Sequence, residues 1–314
     1  MRITLVLQSI CGKGCLALLA ALGLAACDAP PGQVPAGADS AANAPDERLA
    51  PGEHEWTAAD GNPVPYDVAG EGEATVLLVH CWMCERTFWS EQVPVLAAHY
   101  RTVALDLPGH GEAGTAREAW TVAGFGEDVA AFIDDLGLDD VVLVGHSMGG
   151  PVSLRAAALA GERVRGIVAV DTLHDAEFEY SGEEVEQFMA AFEQDFSGTC
   201  EAFVQQMFPE EGSERIMRRV QETSCAEHRR EAGVALMRDF GTIDMAQWFA
   251  EAGVPIRAIN AAGPTPTRTE ANRRYADFEA VFLDDAGHYL QMTRPERFNP
   301  LLLEAVADIL GGET

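Results

Sequence analysis

The chain reads as an α/β protein with an inserted helical cap, and three observations predict that class. Short apolar runs rich in β-branched residues alternate with stretches of helical periodicity beyond about residue 53. One run, Val141-Val142-Leu143-Val144, feeds directly into Gly145-His146-Ser147-Met148-Gly149-Gly150 and then into the Ala-rich segment Val152 to Ala160, which is strand, sharp turn and helix in immediate succession. From about Ala176 to Ala250 the chain turns charged and helical before strand patterning resumes. With 314 residues, 47% of them hydrophobic, it can bury a substantial core, and one domain with an insertion fits better than two independent ones.

Residues 1–26 have the pattern of a targeting segment. Arg2 and Lys13 supply positive charge, Leu16 to Ala26 is apolar but short for a membrane span, and Leu24-Ala25-Ala26-Cys27 places small residues before a cysteine. This resembles a bacterial lipoprotein signal. The resemblance implies that Cys27 becomes the lipidated first residue of the mature chain. Asp28 resembles the residue that retains such proteins at the inner membrane, so the expected location is the periplasmic face of that membrane. An ordinary secretory signal cleaved nearby is the alternative. Residues 27–52, rich in Ala, Pro, Gly and Asp, have too little bulk to fold and read as a flexible tether.

Next come strands over Asn62 to Tyr66 and Ala74 to His80, and a helix over Arg86 to His99 with Phe88, Trp89 and Val93 toward the core. A strand at Thr102 to Leu105 and a helix at Trp120 to Leu136 repeat the pattern, and Val164 to Val170 is a further buried strand. The cap is expected over 174–250, with an apolar set that includes Phe188, Met189, Phe192, Phe203, Met207 and Phe208. These residues either fill the cap's own interior or line an apolar slot over Ser147 that would favour an acyl substrate. Val254 to Ile259 and Glu279 to Leu283 resume the strands, and Arg297 to Leu310 closes with a helix.

Charge and composition exclude several functions. The net charge of -29 leaves no positive cluster to neutralise phosphates, so no nucleic-acid partner is expected. Lys13 is the one lysine, and its place in the segment expected to be removed excludes a serine–lysine dyad or a Schiff-base lysine from the mature chain. The eight histidines show no metal-ligand spacing, and neither a metal nor another cofactor is expected.

Ser147 is the candidate nucleophile, because small residues at Gly145 and Gly149 let strand and helix approach closely and lift the serine clear. His80-Cys81-Trp82 after a strand, Asp106-Leu107-Pro108-Gly109-His110-Gly111 after the next, the elbow at Ser147 and Gly287-His288 near the C-terminus follow one another in the order of an α/β-hydrolase. The chain resembles that superfamily over roughly residues 53–310. The resemblance implies a mostly parallel, doubly wound sheet whose core runs over 53–173 and 251–314, with a hydrolytic site at the carboxyl ends of the strands.

A serine hydroxyl needs a base within hydrogen-bond reach, and His288 lies on the loop where the superfamily places its histidine. His110 and His146 have structural explanations, a turn and packing under the elbow. The resemblance also implies two oxyanion-binding amides, those of Met148 and Trp82. Cys81 departs from it, standing where a glycine usually follows the histidine. The acid departs further: the loop Asn260 to Thr267, where most relatives carry it, has no carboxylate. A minority take the acid from the end of the preceding strand, and Asp171 stands there; Glu270, Asp175 or no acid are the alternatives, and a helix or turn cap paired with Thr172 or a neighbouring backbone amide is the plain structural role for Asp171.

The lipoprotein resemblance implies that Cys11 and Cys15 leave with the signal and that Cys27 is taken by lipid. The remaining four allow three pairings, of which Cys81–Cys84 with Cys200–Cys225 is the simplest, and this usage points to an oxidising compartment. A thiol oxidoreductase reading of Cys81-x-x-Cys84 lacks the thioredoxin-like context such chemistry needs. The function expected is that of an envelope-anchored serine hydrolase acting on a small carboxylic ester or lactone, apolar on its acyl side, with membrane contact only through the anchor. A cofactor-free haloperoxidase, a C–C bond hydrolase and a non-catalytic binding protein of the same fold are the alternatives.

Overall fold

The structure is a computed structural model that describes residues 46–178, 182–209, 211–263 and 265–312. The expected signal, Cys27 and the tether up to residue 45 lie outside the described residues. Eight strands are present: β1 Gly52–Thr57, β2 Pro63–Ala69, β3 Thr75–Val79, β4 Arg101–Leu105, β5 Val141–His146, β6 Val164–Val170, β7 Ile256–Ala261 and β8 Phe278–Leu283. The core helices are α1 Val93–Ala97, α2 Val122–Asp135 and α3 Gly149–Ala160. Between β6 and β7 come α4 Gly182–Gln194, α5 Phe196–Gln206, α6 Glu214–Ser224, α7 Arg230–Phe240 and α8 Met245–Ala252. After β7 follow α9 Thr269–Asn272, α10 Leu290–Thr293 and α11 Pro295–Leu310.

All eight strands form one sheet in the order β1-β2-β4-β3-β5-β6-β7-β8. The first two pairings, β1 with β2 and β2 with β4, are antiparallel and the others parallel. The central strands read as continuous apolar runs because both faces are covered. Leu77 and Val79 of β3, Leu143 of β5 and Ile167 of β6 join the core layer that includes Phe125, Phe132 and Val152. Their alternates Val76, Leu78, Val144 and Val168 join Trp89, Leu96, Phe298 and Leu302 on the opposite face. The period-2 alternation of side chains therefore sorts one strand sequence between two helical layers, α2, α3 and α8 on one side and α1 and α11 on the other.

Three elements differ from the sequence reading. The helix expected over Arg86 to His99 is a single 3-10 turn, Arg86–Trp89, followed by the short α1. Pro94 lies in the first turn of α1, where its missing N–H and fixed φ suit a helix start and preclude a continuous helix through it. Phe88 and Trp89 are buried as expected. The antiparallel strand β1 has no counterpart in the sequence reading, because only Trp56 of Gly52–Thr57 is buried and an exposed edge strand carries little hydrophobic alternation. A 3-10 turn at Glu47–Leu49 also lies within the stretch read as tether.

The elements of the insertion among its described residues are all helical. α4 packs on α5 and α7, α5 packs on α6, and α8 returns to pack along α3. Disulfides join Cys200 to Cys225 and Cys81 to Cys84. Cys200 on α5 and Cys225 at the end of α6 are separated by 25 positions, a loop whose closure restricts the unfolded chain by about 3–4 kcal/mol in the chain-entropy picture. A Cys200→Ser/Cys225→Ser variant is therefore expected to lose stability of that order in urea titrations. An unchanged midpoint would show that the cross-link contributes nothing.

Candidate active site

β5 ends at His146 and α3 begins at Gly149, so Ser147 occupies a turn of two residues with φ of +53°. A non-glycine residue in the left-handed region is strained, and its surroundings hold it there. The Ser147 N–H donates to the Val170 carbonyl at 3.1 Å, and the Ser147 carbonyl accepts the Gly150 N–H at 2.9 Å and the Thr172 hydroxyl at 2.8 Å. A Cβ at Gly145 would run into the Gly149 carbonyl, and one at Gly149 into the carbonyl of Val79, so α3 starts directly against the end of β3. Ser147 is half-buried, and its hydroxyl makes no hydrogen bond among the described residues. Hydrogen bonds of a nucleophile often tighten only when substrate arrives.

β5 lies between β3 and β6, so the loops that leave those two strands flank the elbow. On the β3 side the Trp82 N–H, like that of Met148 at the start of α3, takes no partner among the described residues. The left-handed residue of this loop is Met83, with φ of +54°, and Cys81 is spared. The absence of a glycine at Cys81 thus costs no backbone strain there. His80 is buried behind the loop: its Nε2 accepts the Leu107 N–H at 3.0 Å, which leaves Nδ1–H to donate to the Cys81 carbonyl at 2.8 Å.

On the β6 side stands Asp171, 9% exposed and also left-handed, with φ of +43°. His288 Nδ1–H donates to its Oδ2 at 2.6 Å, and the Ala261 N–H donates to its Oδ1 at 2.8 Å. Burial acts to raise the pKa of this carboxyl, but the hydrogen bond and charge of His288, the nearby His174 and the Ala261 N–H outweigh it and hold it below the usual carboxylate range. The Thr172 hydroxyl goes to the Ser147 carbonyl and not to Asp171, whose backbone partner is the Ala261 N–H. The other carboxylates considered lie elsewhere: Glu270 is 85% exposed and pairs with Arg273, and Asp175 lies 3.8 Å from Arg268.

The backbone of His288 is held from two sides. Its N–H donates to the Met207 carbonyl at the end of α5 at 3.0 Å, and its carbonyl accepts from His146 Nε2 at 2.8 Å. His146 is fully buried, and burial followed by the proximity of His288 pushes its pKa down to about 3. It is therefore neutral, and Gln291 Nε2 donates to its Nδ1 at 3.1 Å. His110 fits the turn role, with Nδ1 2.9 Å from the Pro108 carbonyl. Two neighbours had no place in the sequence reading. His174 Nε2 lies 3.9 Å from Asp171 Oδ1, and the Tyr289 ring stacks on Phe208 of the insertion at 4.9 Å. Only the position of Tyr289 next to His288 could have pointed to it.

The insertion meets the site through Trp82 as well. Its indole N–H donates to the Gly233 carbonyl of α7 at 3.0 Å, and its ring packs edge-on to Phe192, Phe196 and Phe203 at 5.9–6.4 Å. Phe192 and Phe196 are fully buried while Phe188 is 40% exposed, so the apolar set both fills the insertion's interior and reaches its surface. Among the described residues, no group of three or more His, Cys, Asp or Glu side chains is placed to hold a metal ion.

Among known proteins, the chain is 37% identical over 126 residues to the dihydrolipoyllysine-residue acetyltransferase component of an acetoin cleaving system from Pseudomonas putida, which is 40% of this chain and 34% of that one. The chain thus spans only about a third of that relative. It is 24% identical over 254 residues to the pimeloyl-[acyl-carrier protein] methyl ester esterase of Yersinia enterocolitica, covering 76% of this chain and 95% of the esterase. A thermophilic esterase from Thermogutta terrifontis superposes with a TM-score of 0.69 at 23% identity, over 82% of this chain and 98% of its own, a likeness of fold. The family model for the alpha/beta hydrolase fold matches residues 74–295, and with the sheet order and elbow described above this chain belongs to that family.

Proposed function

We propose that the protein is a serine hydrolase that cleaves a carboxylic ester or lactone through an acyl-enzyme on Ser147. The observation that carries this reading is the 2.6 Å hydrogen bond from His288 Nδ1 to a buried, ionised Asp171 beside a strained serine elbow. With Nδ1 committed to Asp171, Nε2 is the nitrogen free to take the Ser147 proton as the hydroxyl attacks the acyl carbon. Asp171 stabilises the imidazolium so formed, and the Met148 and Trp82 amides receive the oxyanion. Proton return from His288 to the leaving alkoxide completes acylation, and water attacking by the same route releases the acid. Ester chemistry in the Yersinia relative supports the reaction class. The aromatic cluster around Trp82 supports a substrate that is apolar on its acyl side.

The lipid anchor at Cys27 and an envelope location belong to the same proposal. Two disulfides among the described residues support passage through an oxidising compartment.

A panel of esters and lactones of graded acyl length identifies the substrate, with peroxide and bromide as the arm that detects haloperoxidase chemistry. Ser147→Ala is expected to cut turnover on the best ester by at least about a thousandfold without loss of stability; near-full turnover would refute the acyl-enzyme. Asp171→Asn is expected to lower kcat at least about a hundredfold with KM little changed, and Glu270→Gln to be silent. Wild-type turnover in a folded Asp171→Asn variant would leave a Ser147–His288 dyad.

Asp171 also sets an acid limit. A carboxyl whose folded pKa is depressed contributes stability above its unfolded pKa of about 4, and that contribution disappears as pH falls through the folded value. The stability difference between wild type and Asp171→Asn is therefore expected to shrink from pH 7 to pH 3 in urea titrations, and a constant difference would contradict it. Finally, Cys27→Ser is expected to move the protein from the membrane to the soluble fraction of the envelope. Unchanged partition of that variant would rule out the lipid anchor.

A further inference from the structure

The segment between β3 and the 3-10 turn at Arg86 contains no helix or strand, yet it carries one of the two amides assigned to the oxyanion. The Met148 amide is fixed by the first turn of α3. The Trp82 N–H belongs to no ladder, and the residue is anchored by its side chain, through the indole bond to the Gly233 carbonyl, and not by regular backbone structure. The bridge between Cys81 and Cys84 closes a ring around Trp82 and Met83 alone. The Cys84 N–H donates to the Cys81 carbonyl at 3.2 Å across the same turn, and the strained left-handed residue of the loop, Met83, lies inside the ring.

In the same chain-entropy picture a bridge this short removes only about half the loop entropy that Cys200–Cys225 removes, so stability is not its whole explanation. Its surroundings point to another role. Both cysteines are buried, at 2% and 0% exposure, and the Tyr289 hydroxyl stands 3.9 Å from each sulfur. Tyr289 follows His288, so the bridge packs the loop of the oxyanion amide against the loop of the base.

We propose that the Cys81–Cys84 disulfide is a positioning pair for catalysis, which holds the Trp82 N–H on the oxyanion and ties that loop, through Tyr289, to His288. This rests on the serine-hydrolase reading above. The pair touches no reacting atom; it acts through the Trp82 amide and matters when negative charge develops, not when substrate binds.

The test compares the full-length protein with a Cys81→Ala/Cys84→Ala variant, which keeps the buried site apolar. Three quantities are read: kcat and KM on a short-chain ester, and affinity for a trifluoromethyl ketone, whose serine adduct places an oxyanion between the two amides. The expected result is a fall in kcat of about ten- to a hundredfold, KM within about twofold of wild type and a parallel loss of ketone affinity. The Cys200→Ser/Cys225→Ser variant is the control for a merely structural cross-link and is expected to lose thermal midpoint with a much smaller change in kcat than the Cys81→Ala/Cys84→Ala variant. A folded alanine pair with wild-type kcat and ketone affinity overturns the proposal, as does a loss confined to KM.

Where the alanine pair yields no folded protein, wild type is incubated with a phosphine reductant until quenched mass spectrometry counts free thiols at Cys81 and Cys84. Activity is expected to fall in proportion to that count and to return on reoxidation, and full activity in the reduced protein overturns the proposal. Ser147→Ala separates the two readings. If hydrolysis survives in that variant, the serine mechanism has failed; if it is abolished while the Cys81→Ala/Cys84→Ala variant keeps full kcat, only the positioning role has failed.

Discussion

The approach of α3 to the carboxyl ends of β3 and β6 governs the geometry of the whole site. A methyl group at Gly149 would strike the carbonyl of Val79, and one at Gly150 would strike Thr172, so the helix packs this closely only because both positions lack a side chain. Two consequences follow from the one contact. Ser147 is forced into a left-handed turn at the top of β5, and the loops leaving β3 and β6 are drawn to either side of it. Parallel pairing then gives those loops a common direction, so the Trp82 and Asp171 loops leave the same end of the sheet on either side of Ser147.

The electrostatics of the site rest on keeping its histidines distinct. His80, His110 and His146 are buried, and burial lowers the pKa of each, so they act as neutral hydrogen-bonding struts. His146 donates to the carbonyl of His288 and accepts from Gln291, which places the loop without adding charge to it. Asp171 is the exception among the buried groups beside the elbow, an ionised carboxylate compensated by His288, His174 and a backbone amide. A buried charge with partners this specific fits a site in which positive charge forms and disappears on one neighbour.

The insertion takes part in that construction. It fixes the backbone of His288 through the Met207 carbonyl, the indole of Trp82 through the Gly233 carbonyl, and the Gly109 and Gly111 carbonyls through Arg229. Helices that in the sequence look like a lid over the core are therefore also hydrogen-bonding partners of the loops that carry the site. Changes in the insertion can reach the site through these backbone contacts, without touching a substrate.

Much of this was legible in the sequence because its causes are local. The buried strands are apolar runs whose period needs no partner to be recognised, and the elbow is legible because its glycines and serine must be adjacent. His288 and Asp171 could be named from position along the chain, but their pairing, and the choice of Asp171 over Glu270 and Asp175, depended on β6, β7 and β8 lying side by side. Local composition also failed where tertiary context decides: β1 forms on an edge with one buried residue, and the helix expected from Arg86 is interrupted ahead of Pro94, which starts a new helix and which the apolar pattern alone does not weigh. What the sequence determined by itself was the class of fold, the serine and its elbow. The tertiary structure alone decided which carboxylate meets the histidine and which backbone groups of the insertion hold the site, because each of these depends on a distance between segments that no local pattern encodes.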